Sequence, residues 1–166
     1  MDSIETPLYL VFLFVCLVLS VFFSSSETAF LSLRRFRIEH LVNTGVKGAG
    51  RVAGIIERPG KFLSTVLLGN TLVNTAATAL ATALAVTYWG ERLGIIIATV
   101  GLTVILLIFC ETTPKIVATH HAERLSFAFA GPIGVVSWLF TPFVAVLRWI
   151  ASGFIRLGGG APVPRS

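Results

Sequence analysis

Charge is scarce in this sequence. Asp, Glu, Lys and Arg make up 13% of its 166 residues, about half the ~25% usual for a soluble domain. It is also clustered. No charged residue lies between Glu5 and Glu27, Lys61 and Glu91, Arg92 and Glu111, or Arg124 and Arg148. A spanning helix needs about 20 mostly apolar residues, and the first three stretches meet that length. A soluble core would not supply four such runs in so short a chain, so a water-soluble globule is excluded. Cysteine is nearly missing too: Cys16 and Cys110 both fall inside apolar runs, which argues against a disulfide framework. The N-terminus, Met1-Asp2-Ser3-Ile4-Glu5, lacks the basic start of a signal peptide, so the first span is expected to be retained. Histidine is absent from the apolar runs. His40, His120 and His121 lack metal-ligand spacing and are expected at the inner surface, and without an intramembrane base the serines do not make a hydrolase. No enzyme is expected.

The charge that is present gives a net +5 and a pI of about 9.9. In a soluble protein that would raise nucleic acid as a partner. Here the excess sits in one segment, where Arg34, Arg35, Arg37, Lys47, Arg51, Arg58 and Lys61 are opposed only by Glu39 and Glu57. The segment reads as a cytoplasmic loop under the positive-inside bias, and nucleic acid is not expected. Spans are expected at about 9–33, 62–89 and 93–118, joined by the basic segment 34–61 and by the short turn Gly90-Glu91-Arg92. Tyr88-Trp89 suits an interfacial anchor. This arrangement puts the N-terminus outside and the C-terminus in the cytoplasm.

The segment 125–157 is apolar enough to span. However, Gly131-Pro132 and Thr141-Pro142 should break it into short pieces, since proline removes a helix bond and crowds the preceding turn. With Trp138, Trp149, Arg148 and Arg156 it reads as interfacial helices on the inner membrane surface, in preference to a fourth span. Gly158-Gly159-Gly160 should end the ordered region, leaving 158–166 as a flexible tail. Ala161 to Ser166 reads as a cloning or protease-site remnant.

Polar residues inside spans are costly and mark functional sites. Span one carries Ser24-Ser25-Ser26-Glu27-Thr28, span two Gly69-Asn70-Thr71 and Asn74, and span three Glu111-Thr112-Thr113-Pro114-Lys115. Ser25, Asn70 and Glu111 each lie roughly 13 Å from the expected inner end of their span at 1.5 Å per residue. Three spans thus place oxygens at one depth. Asn70 and Asn74 share a helix face, and Gly69 and Pro114 should each loosen a helix and bare carbonyl oxygens toward a cavity. Hydroxyl, amide, carboxylate and carbonyl oxygens suit magnesium or calcium over zinc or copper. Plainer roles compete. The asparagines could bond between helices and the serines to their own carbonyls. Glu111 could pair with Lys115, and Glu27 with a basic residue near the inner surface. The small-residue stretch from Thr75 to Thr87 reads as a close-packing face.

These residues resemble a known family. Phe22-Phe23-Ser24-Ser25-Ser26-Glu27-Thr28-Ala29, Leu68-Gly69-Asn70 with Asn74, and Glu111-Thr112-Thr113-Pro114-Lys115 are similar, in order and interval, to the three span motifs of the CorC and CNNM (cyclin M) magnesium transporters. The resemblance implies an all-α, homodimeric, three-span domain with juxtamembrane helices in the inner membrane. It also implies Mg2+ export coupled to Na+ entry. The ion would be held by Ser25, Asn70, Asn74, Glu111 and the Gly69 carbonyl, with Glu27, Pro114 and Lys115 beside them. Cys110 departs from the family's usual glycine. The family's cytosolic CBS domains, which in many members bind ATP, are not in this sequence, so it reads as a transmembrane domain taken from a longer protein. The rival readings are a magnesium-binding sensor or scaffold regulating another transporter, and a plain membrane anchor.

Overall fold

The computed structural model describes residues 5–159, and all its regular elements are helices. The remnant expected at Ala161 to Ser166 lies outside the described residues. In chain order the elements are α1 (Glu5–Leu31), α2 (Arg35–Asn43), α3 (Ala49–Ile56), α4 (Pro59–Trp89), α5 (Glu91–Ile105), a π-helical segment (Leu106–Thr112), α6 (Thr113–His120) and α7 (Ala122–Leu157). Four helical rods are long and apolar enough to cross a membrane: α1, α4, Glu91–His120 and α7.

Helices long enough to span lie at the three expected positions, with ends shifted by a few residues. Proline at the first position of α4 costs no helix bond there. Gly90 stops α4 at φ +82°, a region open to glycine, and the chain reverses directly into α5. Gly94 is the next requirement of this hairpin. A Cβ at Gly94 would sit 2.6 Å from the Val86 Cα and N, so α4 and α5 meet backbone to backbone. The stretch from Thr75 to Thr87 contributes the packed side, with Ala77, Leu84 and Ala85 buried. Its Thr78, Thr82 and Thr87 hydroxyls donate to carbonyls one turn back.

The basic segment 34–61 is not a loop. It folds into α2 and α3, which bury Ile38, Leu41, Ala49 and Val52. These side chains join Phe23 and Phe30 of α1, Phe62 and Val66 of α4, and Ile133 of α7 in one cluster. Ring contacts tie it together: Phe30 to Phe62 at 5.0 Å and Phe22 edge-on to Phe129 at 5.1 Å, spacings typical of favourable aromatic pairs.

The prolines of 125–157 do not break the chain. α7 is one helix of 36 residues with Pro132 and Pro142 inside it. Both rings are on the exposed side. There they collide with no packed neighbour. The helix follows the 34–61 segment along most of its length. Glu123 pairs with Arg37 at 3.5 Å, Phe127 covers Gly48, Gly131 lies beside Arg51, and Arg148 reaches Gly60. α7 ends at Leu157, just before Gly158 and Gly159.

Two glycines set tolerances that differ in kind. A Cβ at Gly69 would overlap the buried Phe23 ring, a side chain, whereas at Gly94 it meets backbone. Gly94→Ala is expected to cost roughly 1–3 kcal/mol of stability, measured by thermal unfolding in detergent, with no single side-chain change restoring it. Gly69→Ala is expected to cost a similar amount that Phe23→Leu recovers. Recovery of both by side-chain changes, or of neither, contradicts the assignment.

Candidate ion-binding site

The sequence places oxygen-bearing side chains on three spans, and the helix packing decides which of them meet. α1 lies chiefly on α4 and also touches the π segment, α6 and α7. Ser20 of α1 is the meeting point. Its fully buried hydroxyl lies 2.7 Å from Asn74 Oδ1 and 3.3 Å from Asn70 Oδ1, donating toward these acceptors, while Asn74 Nδ2 donates to Asn70 Oδ1 at 3.4 Å. Asn70 and Asn74 share a face, as their spacing requires. The Cys110 thiol lies 3.7 Å from the Leu17 carbonyl as a long donor contact. One hydroxyl therefore connects α1 with both asparagines of α4, and the Cys110 contact sets the turn that carries Glu111 against the same stretch of α1.

Ser20 lies eleven residues before α1 ends at Leu31, and Asn70 eleven after α4 begins at Pro59. At 1.5 Å per residue both are roughly 16 Å from the shared helix ends, close to the middle of a ~30 Å hydrocarbon core. The direct contact between α1 and the asparagines is thus made not by Ser25 but by a serine outside the motif. Its signal was available: Ser20 precedes Ser24 by four residues, so the two share a helix face.

The serine triplet divides. Ser26 Oγ donates to the Phe22 carbonyl at 2.7 Å, the self-bonding role. Ser24 Oγ is fully buried and unpartnered among the described residues. Ser25 is 7% exposed, and among the described residues no hydrogen bond involves its side chain. At 100° per residue, Ser24 lies roughly 40° from the Ser20 direction and Ser25 roughly 140°. Ser24 is therefore the hydroxyl nearer the asparagine face.

Glu111 stands in the π segment, the wide winding that runs from Leu106 to Thr112 and stops just before Pro114. Proline has no N–H for the Cys110 carbonyl four residues back, and its ring crowds that carbonyl. A wider turn relieves the conflict, and such π turns are frequent at functional sites. The expected loosening at Pro114 is present in this form. At Gly69 it is not: α4 runs through without interruption, and Gly69 serves close packing against Phe23. Glu111 and Lys115 are both half-buried yet do not pair, and neither does Glu27. Among the described residues the one ion pair joins Arg37 to Glu123. No group of three His, Cys, Asp or Glu side chains comes together among them. The oxygens gathered here are the Ser20 hydroxyl and the Asn70 and Asn74 amides, with Glu111 on the neighbouring π segment, chemistry for a hard cation.

Comparison with known proteins agrees with this architecture. Residues 11–166 match the family described as the cyclin M transmembrane N-terminal domain. A UPF0053 protein of Haemophilus influenzae is 38% identical over 96% of this chain and 38% of its own length. The UPF0053 inner membrane protein YfjD of Escherichia coli is 34% identical over 85% of this chain and 33% of its own. A more distant relative, the polyamine export protein of Haemophilus influenzae, is 26% identical over 86% of this chain and 36% of its own. The chain thus spans little more than a third of the length of these relatives. With a helical membrane architecture, three polar span motifs in order and a family match over nearly its whole length, this chain belongs to the cyclin M transmembrane-domain family.

Proposed function

We propose that the chain carries Mg2+ out of the cell, with Na+ entry as the driving step, through a site at mid-membrane depth. The observation that carries this reading is the bond network of Ser20, Asn70 and Asn74 beside the Glu111 turn. Magnesium takes oxygen ligands and gives up water reluctantly. A site with one carboxylate and several neutral oxygens leaves it partly uncompensated, which favours release as well as binding. Asn70 Oδ1 and Asn74 Oδ1 are held by the Ser20 hydroxyl in this state, so taking the ion means exchanging those hydrogen bonds for metal contacts. Ser24, Ser25 and Glu111 complete the donor set, and sodium would use the same oxygens in the opposite direction.

In this reading three helices span, as a homodimer in the inner membrane, with the N-terminus outside and the 34–61 segment in the cytoplasm. α7 lies in the plane of the inner surface. Its contacts support that placement. Glu123 and Arg148 both touch the 34–61 segment, although roughly 38 Å of helix separates them. A helix crossing a ~30 Å core would carry one of them to the far side.

The relative named a polyamine export protein favours a second reading, in which the cargo is an organic polycation. Several ammonium groups in a row want several carboxylates, and the network region has Glu111 alone. Flux by the purified protein separates these readings from each other and from a sensor or scaffold. In sodium-loaded proteoliposomes, Mg2+ movement with little polyamine movement is expected.

Asn70→Ala and Glu111→Ala are each expected to abolish Mg2+ flux while the thermal unfolding profile stays cooperative. Retained flux in both would falsify the site. The serines give a finer test. Ser24→Ala is expected to reduce flux more than Ser25→Ala, since Ser24 holds the unpartnered hydroxyl nearer the asparagines; the reverse order would move the ion to the other side of α1.

A further inference from the structure

We propose that a cleft between the start of α4 and the second half of α7 binds the phosphate of an anionic phospholipid in the inner leaflet. The cleft measures about 880 Å³ and is lined by Lys61, Arg148 and Arg156, with no acidic side chain in its wall. None of the three cations is paired, since among the described residues the one ion pair is Arg37–Glu123. The Arg148 guanidinium lies against the first turn of α4, where a Cβ at Gly60 would be 3.0 Å from Nη2. Three like charges around one cavity repel, and a phosphate among them converts that repulsion into charge-assisted hydrogen bonds.

The second half of α7 is built for a lipid anion in particular. Thr141, Arg148, Ser152 and Arg156 recur at helical spacing and all line the cleft. The opposite face carries Phe143, Val146 and Leu147, which are 62%, 55% and 46% exposed. A helix with one cationic face and one apolar face rests at the headgroup and acyl boundary. Trp149, at the cleft's edge and 77% exposed, is the residue type enriched at that level. Such a position puts the arginines where lipid phosphates are and the apolar side chains where acyl chains are. A free anion would use only the charged half of this surface.

The test uses the purified protein in neutral detergent, with native mass spectrometry counting bound phospholipid. Phosphatidylglycerol is expected to bind in preference to phosphatidylcholine, and excess inorganic phosphate should not displace it. Arg148→Gln with Arg156→Gln is expected to weaken retention roughly thirtyfold, at about one tenfold step per 1.4 kcal/mol and ~1 kcal/mol per arginine. Lys61→Gln gives a milder version should the double variant unfold. Arg34→Gln with Arg35→Gln removes the same charge outside the cleft and should leave retention unchanged. Equal loss in this control would reduce the effect to general surface charge and overturn the site. So would unaltered retention in the cleft variants that still unfold cooperatively. Displacement by inorganic phosphate would overturn the lipid and leave a soluble anion in its place.

Discussion

Inside a bundle surrounded by hydrocarbon, a hydroxyl has no water to turn to, and the Ser20 side chain meets that condition by reaching two asparagines on the neighbouring helix. The position of α1 along α4 is tied to it, because moving Ser20 away from the asparagines would leave its hydroxyl without a partner in an apolar setting, at a cost of several kcal/mol. The fit of the Phe23 ring over Gly69 depends on the same register. So does the approach of Cys110 to the Leu17 carbonyl, which brings the Glu111 turn to the same depth. Polar contact fixes the alignment, and apolar packing of Phe30, Phe62, Val66 and Ile133 fills the space around it.

Much of this was legible in the residues. Bilayer thickness is a constraint in one dimension, so the spacing of charges located the long apolar helices to within a few residues. The shared face of Asn70 and Asn74 followed from helical period alone. What was not legible depends on neighbours. Ser20 looks like an unremarkable serine in an apolar run until α4 is placed beside it. The cost of Pro132 and Pro142 depends on whether their rings point at a packed surface, and here they point away. Gly69 looked like a flexible point because glycine often is one, yet its missing side chain makes room for an aromatic ring. The basic segment was read by its charges, whereas its folding follows from the few apolar residues among them, Ile38, Leu41 and Val52.

The 34–61 segment and α7 form a layer at one end of the bundle, and that layer shares its core with the spans. Phe30 and Phe62 belong to α1 and α4, while Leu41, Val52 and Ile133 belong to the layer, and all lie in one cluster. Any displacement of the layer is therefore felt at the adjoining ends of the two helices that hold the asparagine and serine network. The same arrangement ties the charged cleft at Lys61 and Arg148 to the base of α4, the helix that carries Asn70.

The hairpin of α4 and α5 has a mechanical meaning beyond its compactness. At Gly69, α1 and α4 meet through the Phe23 side chain, and a side chain can rotate and so let two rods slip past each other. At Gly94 nothing stands between the two backbones, and covalent chains do not yield as rotamers do. The two helices therefore behave as a single stiff lever with Gly90 at its tip. A change of shape in this domain has to take place at the lever's other seams, where α1, with Ser20 on it, meets α4 on one side and the Glu111 turn on the other.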